Sequence, residues 1–145
     1  MICKMEEEIK FRHRMPAQLR FSDVDRFGHV NNSVYFSLYD LAKTTYMKDV
    51  LGKYRWGNVA IVVANINANF FSPIFFSDSV MIETAVTHLG NKSFTLLQRA
   101  VSEKTGEVKC ECRTVMVMFN LDTKEPMPIP SEYKATVCEY EGRAM

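Results

Sequence analysis

The spacing of apolar residues changes along the chain and predicts one long helix among strands. From Asn32 to Gly52 apolar residues recur every three or four positions, which predicts an amphipathic helix of about 18 residues. Asn31 or Asn32 is suited to cap its N-terminus, and Gly52 to end it. The apolar face of this helix is predicted to contain Val34, Leu38, Leu41, Ala42, Tyr46 and Val50.

Apolar segments on both sides of this helix predict strands. The first strand is expected at 9–20, where Pro16 marks an edge or a bulge. Four more are expected after the helix, at 60–71, 79–89, 93–103 and 107–120. Tight turns at Gly90-Asn91 and Thr105-Gly106 join the last three, which are therefore expected to be antiparallel neighbours. A short helical turn is expected at 131–136.

This order of elements favours an α+β fold, in which a curved antiparallel sheet of about five strands wraps around one long helix. A chain of 145 residues suits one domain, so the whole range 1–145 is assigned to it. Such a sheet keeps open edges, which pair readily with a second copy of the same chain. A two-fold dimer is therefore expected.

Composition and charge argue against some classes of partner. Hydrophobic residues make up 47% of the chain and the net charge is +1, so no overall field attracts nucleic acid or an anionic membrane. No apolar segment approaches the roughly 20 residues that a membrane-spanning helix needs. The N-terminal residues 1–10 lack the apolar core of a secretory signal. The four cysteines form no CxxC pair, which favours reduced thiols. A cytoplasmic protein without nucleic-acid or membrane partners is expected.

Candidate chemistry is concentrated at 20–35, where carboxylates, an imidazole and two asparagines precede the helix. Asp23 and Asp25 are one residue apart, so in an extended segment only one of them faces a given pocket. Gly28 permits a positive φ or a close approach of a ligand. The free N–H groups at the helix start, near Asn32, can hold an anion or a developing oxyanion. A carboxylate facing them suits acyl transfer, while ordinary capping and turn formation is the alternative.

The segment from Asp23 to Tyr35 resembles the DxDxxGHVNNxxY signature of hotdog-fold acyl thioesterases. Relatives of this kind include the 4-hydroxybenzoyl-CoA type, bacterial acyl-CoA thioesterases and acyl-ACP thioesterases. The likeness covers about residues 9–120, because the helix, the asparagine-rich strand and the turn near Lys92 also match. It implies a hotdog fold, a homodimer or homotetramer, and hydrolysis of acyl-CoA or acyl-ACP without a metal. No cofactor is expected.

The resemblance also implies roles for individual residues. Asp25 matches the catalytic carboxylate, acting as base or nucleophile, and Asn32 matches the donor at the helix entrance. His29 matches a histidine that contributes in the acyl-ACP branch, whereas Phe27 replaces the asparagine of that branch. Contacts to the substrate or to coenzyme A are expected from Gly28, Asn31, Tyr35, Asn91, Lys92 and Ser93.

Three alternatives to hydrolysis stay open at this point. A hotdog hydratase or dehydratase also pairs a carboxylate with a histidine, although the spacing of Asp25 and His29 lacks the matching asparagine. A non-catalytic module could bind an acyl thioester without cleaving it. An interaction protein could use the sheet edge and merely retain the motif.

Overall fold

The computed structural model describes residues 9–145. Residues 1–8, which include Cys3, part of the predicted 1–145 domain and most of the N-terminus judged not to be a signal, lie outside the described residues. The elements are β1 (His13–Pro16), a 3-10 turn (Phe21–Asp23), α1 (Asn32–Leu51), β2 (Val59–Phe70), β3 (Val80–Leu89), β4 (Ser93–Ser102), β5 (Val108–Asn120), β6 (Glu125–Pro126) and α2 (Ser131–Glu141).

The strands form one antiparallel sheet with β3, β4 and β5 at its centre. The strand order is β1-β3-β4-β5-β2, and β6 pairs with the end of β5. The prediction that the last three long strands are antiparallel neighbours is confirmed. In contrast, β2 crosses over to pair with β5 and forms an edge of the sheet. Within residues 9–145 the sheet has six strands rather than about five, because the two-residue β6 has no signal in the sequence.

The first strand is shorter than predicted. Only His13–Pro16 pairs with β3, so the predicted strand at 9–20 contributes four residues to the sheet. Beyond Pro16 one further backbone bond, from the Ala17 N–H to the Val80 carbonyl oxygen at 2.8 Å, is made before the chain turns away.

Helix α1 crosses the concave face of the sheet and buries only part of the predicted apolar face. Its 20 residues bury Tyr35, Tyr39, Ala42, Tyr46, Val50 and Leu51. Leu41, assigned to the apolar face, is 56% exposed, while Val34 and Leu38 are half-buried. The prediction is confirmed for Ala42, Tyr46 and Val50 and was wrong for Leu41. It left out Tyr35 and Tyr39, whose rings each bury a large apolar area and present only a hydroxyl as a polar group.

Helix α2 closes one end of the sheet and is longer than the predicted turn at 131–136. It continues to Glu141, and Gly142 ends it with a φ of 72°. The Glu141 carboxylate is buried, where it accepts the Tyr46 hydroxyl at 2.6 Å and the Val86 N–H at 2.9 Å. These two bonds join α2 to α1 and to β3. No helix in the range 9–145 has the length and apolar character needed to span a membrane.

Candidate active site

A tight loop places Asp25 beside the entrance of α1. The Gly28 N–H donates to the Asp25 carbonyl oxygen at 3.0 Å, and Gly28 has a φ of +81°, which glycine adopts without steric penalty. Asp25 Oδ1 accepts the backbone N–H groups of Phe27 at 2.8 Å and His29 at 3.2 Å. Within the described chain no hydrogen bond engages Oδ2 of this exposed carboxylate, so that oxygen is open to a ligand.

The two neighbouring aspartates have different surroundings. Asp23 Oδ2 accepts the Arg20 N–H at 2.7 Å, and the Asp23 side of the loop borders a separate groove along the other flank of α1. The Asn31 N–H donates to the Asp23 carbonyl oxygen at 2.9 Å, which fastens the loop to the start of the helix. The expectation that one carboxylate alone faces the site therefore agrees with this arrangement, and that carboxylate is Asp25.

The N-terminus of α1 is capped by Asn31 and leaves one donor unused. Asn31 Oδ1 accepts the Ser33 N–H at 3.0 Å and the Ser33 hydroxyl at 2.9 Å. The Val34 N–H donates to the Asn31 carbonyl oxygen at 2.9 Å. The Asn32 N–H finds no acceptor among residues 9–145, at the end of the helix where the partial positive charge is concentrated.

An open cleft of about 420 Å³ lies between this loop, the start of α1 and the end of β2. Its lining consists of Asp25, His29, Val30, Asn31, Asn32, Tyr35, Phe70, Phe71, Ser72 and Pro73. Asp25, with its free carboxylate oxygen, and Asn32, with its free N–H, therefore line the same cleft. Such a pair can bind a carbonyl group and attack it, or activate water beside it.

Aromatic contacts orient the two rings of the cleft. The His29 ring meets Phe75 edge-on at 4.9 Å and Phe27 at 6.4 Å, and it makes no hydrogen bond within the part of the chain described. Tyr35 is 3% exposed and packs edge-on against Phe70 at 5.1 Å. Its burial is the larger cause that raises the pKa of Tyr35, and the nearby Cys110 thiol is a smaller one. The Tyr35 hydroxyl therefore stays protonated at neutral pH.

The structure does not bring the predicted coenzyme A contacts to this cleft within one chain. Asn91 and Lys92 form the β3–β4 turn, where the Lys92 carbonyl oxygen accepts the Met118 N–H. The cleft lies at the other end of the sheet, where Phe70 pairs with Cys110. Ser93 pairs with Val117, which lies seven residues further along β5 than Cys110, or about 23 Å at 3.3 Å per residue.

Sequence reasoning missed the wall of the cleft at 70–73 and the contact of Phe75 with His29. Ser72-Pro73, which directly follows the predicted strand at 60–71, was the available signal for the wall. The bridge between His29 and Phe75 is a long-range pairing for which no local pattern exists. Among residues 9–145 no group of three or more His, Cys, Asp or Glu side chains could hold a metal ion.

A curved antiparallel sheet wrapped around a long helix, with a cleft at the helix entrance, defines the hotdog class. The model of the Thioesterase-like superfamily matches residues 19–137. The long-chain acyl-CoA thioesterase FadM of Escherichia coli K12 is 28% identical over 120 residues, which cover 81% of this chain and 90% of FadM. The acyl-CoA thioester hydrolase YbgC of Escherichia coli O6:H1 is 24% identical over 134 residues, covering 88% and 95% of the two chains.

Solved structures agree with these relatives. A thioesterase of Thermus thermophilus, crystallised with coenzyme A and zinc, has a TM-score of 0.81 at 28% identity, covering 93% of this chain and 98% of its own. The PA5185 protein of Pseudomonas aeruginosa PAO1 has a TM-score of 0.81 at 27% identity, covering 93% and 95%. The chain belongs to the Thioesterase-like superfamily, with the predicted hotdog fold, and its enzyme class is thioester hydrolase.

Proposed function

We propose that this enzyme hydrolyses acyl-CoA, with Asp25 as base or nucleophile and the Asn32 N–H as the oxyanion donor. The cleft shared by the free Asp25 oxygen and the free Asn32 N–H is the observation that carries the proposal. The names of FadM and YbgC, and the coenzyme A bound to the Thermus relative, support coenzyme A as the carrier. An acyl-ACP substrate is the other carrier to test. The proposal includes the cytoplasmic location expected from the sequence.

In this mechanism the carbonyl oxygen of the thioester accepts the Asn32 N–H, and the positive end of α1 stabilises the negative charge that develops on it. As general base, Asp25 takes a proton from water while the water oxygen bonds to the acyl carbon. The C–S bond then breaks, and the proton passes from Asp25 to the departing thiolate. As nucleophile, the Asp25 carboxylate bonds to the acyl carbon instead, and the C–S bond breaks to release the thiolate. Water then hydrolyses the resulting anhydride to the free acid and the Asp25 carboxylate, and the proton set free neutralises the thiolate.

His29 contributes by its position in this proposal. Its half-buried ring lies on the cleft between Phe27 and Phe75, where it orients the attacking water or the substrate. Gly28, Asn31 and Tyr35 shape the same cleft: Gly28 through its positive φ, Asn31 through the cap and Tyr35 through its buried ring.

Thiol release from a panel of acyl-CoA and acyl-ACP thioesters, including an aryl thioester, tests the proposed activity. We expect turnover with coenzyme A thioesters, and absence of release from every member would refute it. Hydration of crotonyl-CoA without thiol release would identify a hydratase, and intact acyl-CoA after long incubation a binding module. A single turnover in ¹⁸O-labelled water separates the two roles of Asp25, because only an anhydride intermediate places label in the carboxylate.

The exposed edge strand β2 supports a homodimer as part of the proposal. None of its 12 residues is buried, and Ile66 and Phe70 are 45% and 42% exposed. An apolar edge of this length pairs readily with another chain unless it is covered. A second copy pairing antiparallel along β2 covers it and gives the two-fold symmetry expected of such dimers. A homotetramer would need a second surface.

This dimer also gives the β3–β4 turn a role. When two β2 strands pair antiparallel, the end of one lies beside the start of the other. The turn containing Asn91, Lys92 and Ser93 of one copy then lies at the same edge of the joined sheet as the Asp25 cleft of the other. The ammonium of Lys92 there suits a coenzyme A phosphate.

A further inference from the structure

We infer that this enzyme takes long acyl chains, and that Met47 and Trp56 form the end of the compartment that receives them. The inference rests on the proposed function, because the thioester end of the chain must lie in the cleft of Asp25 and Asn32. It adds a path for the rest of the acyl chain along the inner face of β2.

An apolar strip runs the length of β2 on the face of the sheet that α1 crosses. Its members are Val59, Ile61, Val63, Ile66, Ala68 and Phe70. Phe70 pairs with Cys110 and Ile61 pairs with Met118, and both partners are buried under α1 with at most 1% exposed. Paired residues of an antiparallel ladder project from the same face. The strip is continuous across the bulge after Val63, where the pairing register shifts.

The two ends of this strip reach two different spaces. Phe70 lines the catalytic cleft, and Ile61 lines an apolar groove of about 470 Å³ between α1 and the start of β2. The middle of the strip is open, since Val63 and Ile66 are each 45% exposed. An apolar ligand that starts at the cleft covers this open part and ends in the groove.

The groove continues into the interior beneath α2. A second, almost wholly apolar space there shares Met47, Trp56 and Ile61 with the groove, and it extends to Tyr133 and Val137. The Trp56 and Tyr133 rings lie 5.4 Å apart and form part of its wall. The three shared side chains therefore stand between the open groove and this inner space, which at about 20 Å³ has little more room than one water molecule, so they limit how far a ligand penetrates.

The distances along α1 set the length of chain that reaches this compartment. Lys43, the first groove residue on the helix, lies about 16 Å from Asn32 at 1.5 Å per residue, and Met47 lies about 22 Å from it. An extended chain of tetrahedral carbons advances about 1.25 Å per carbon, given C–C bonds of about 1.52 Å. Acyl groups of about 14 carbons therefore reach from the cleft to the start of the groove at Lys43, and those of about 18 carbons reach Met47, whereas a butyryl group stays in the cleft.

The single tryptophan of the chain reports directly on occupancy of the compartment. S-hexadecyl-CoA, a thioether that cannot be hydrolysed, is titrated into the wild-type protein while Trp56 emission is recorded, and S-butyl-CoA serves as the control. We expect a saturable change in Trp56 emission with the hexadecyl ligand and none with the butyl ligand. This readout does not depend on catalysis.

Two variants change the compartment in opposite directions. Met47→Trp narrows it, and we expect kcat/KM for palmitoyl-CoA to fall by roughly four-fold for each methylene excluded, with butyryl-CoA unaffected. Trp56→Ala widens it, and we expect the preferred chain length to increase. Leu41→Trp is the matched control, because Leu41 is an exposed residue on the opposite flank of α1. It should leave the chain-length profile unchanged.

The outcomes separate the inference from the proposed function. If no thioester of any length is hydrolysed, the proposed function fails. If butyryl-CoA and palmitoyl-CoA are cleaved alike and Met47→Trp leaves that profile unchanged, hydrolysis stands and the acyl compartment is refuted. The acyl compartment would also be refuted if the protein is a dimer and its Trp56 emission does not change on addition of S-hexadecyl-CoA. The second copy alone would then cover the apolar strip of β2.

Discussion

Asp25 and His29 are joined by two backbone-mediated hydrogen bonds that close the loop between them. The Asp25 N–H donates to the His29 carbonyl oxygen at 2.8 Å, and the His29 N–H donates to Asp25 Oδ1 at 3.2 Å. One carboxylate oxygen is thereby committed to the loop, and the other has no partner in the described chain, in a residue that lines the cleft. A single side chain thus serves both the local structure and the proposed chemistry.

Asp25→Asn separates these two uses of the side chain. The asparagine oxygen can still accept the N–H groups of Phe27 and His29, so the loop and the free energy of unfolding should change little. The amide cannot act as base or nucleophile, so kcat for thioester hydrolysis should fall about 10²–10⁴-fold. Asp23→Asn is the matched control and should keep its activity, since Asp23 bonds the Arg20 N–H instead. Equal turnover of the Asp25→Asn variant and the wild type would contradict the assignment.

Asn32→Pro removes the proposed oxyanion donor without removing the helix. Proline is well tolerated at the first helical position, and Asn31 already has the extended conformation that a residue before proline needs, with φ −62° and ψ 139°. We expect kcat to fall about 10²–10³-fold with the circular dichroism spectrum unchanged. Asn32→Ala keeps the backbone N–H and should retain most of the activity. A loss of activity in Asn32→Ala as large as in the proline variant would instead implicate the side chain.

Charges placed on the outer face of β2 should dissociate the proposed dimer. Asn65 and Asn67 are exposed and pair with Val115 and Arg113 of β5, which places them on the face away from α1. In the Asn65→Lys/Asn67→Lys variant, like charges from two copies meet across the two-fold axis and repel each other.

Sedimentation equilibrium measures the result. The double variant should be largely monomeric at low salt and regain dimer at high salt, where the charges are screened. His88→Lys, an exposed substitution on β3, is the control and should leave the wild-type mass unchanged. A wild-type protein that sediments as a monomer at micromolar concentration would rule out the β2 dimer.

The buried thiol of Cys110 should resist alkylation in the folded protein. Burial raises the pKa of Cys110 to about 11, and the residue is fully buried, whereas Cys138 is only half-buried. At pH 8 iodoacetamide should therefore label Cys138 faster than Cys110, and both equally in urea, as mass spectrometry of peptides will show. Equal labelling rates in the native protein would mean that the core around Cys110 opens readily.

The same shift predicts a decline of stability at alkaline pH. Between the ordinary thiol pKa of 9.0 and about 11, the unfolded chain loses the Cys110 proton while the folded chain keeps it. The unfolded state then binds fewer protons, so the free energy of unfolding decreases as pH rises through this interval. Urea denaturation at pH 8 and pH 10 should show a smaller decrease for Cys110→Ala than for the wild type.

Glu141→Ala should lower the free energy of unfolding more than a substitution at an exposed position near the C-terminal end of α2. It leaves the buried Tyr46 hydroxyl and Val86 N–H without their acceptor, at a cost of about 1–3 kcal/mol for each unsatisfied group. Glu139→Ala, an exposed substitution on the same helix, should change the free energy of unfolding by no more than about 0.5 kcal/mol. Urea denaturation compares the two, and equal midpoints would show that α2 is not held by this carboxylate.

The local features of this protein were readable from its sequence because they depend on neighbours within a few residues. The start of α1 follows from the Asn31 cap, and the tight turns near Gly90 and Gly106 follow from glycine. The loop at Gly28 and the candidate roles of Asp25 and Asn32 came from one short motif. The cap, the tight turns and the Gly28 loop each depend on hydrogen bonds that span no more than four residues.

The features of the fold that the sequence did not predict depend on contacts between residues far apart in the chain. Three of them are the pairing of β2 with β5, the hydrogen bond between the buried Glu141 carboxylate and Tyr46, and the packing of the α1 tyrosines against the sheet. A residue's own neighbours do not show which of two apolar faces will meet the sheet, because that choice depends on the total area buried. The sequence by itself determined the order of the elements and the motif at the helix entrance. Only the tertiary structure decided that the Asp25 carboxylate and the Asn32 N–H open onto one cleft.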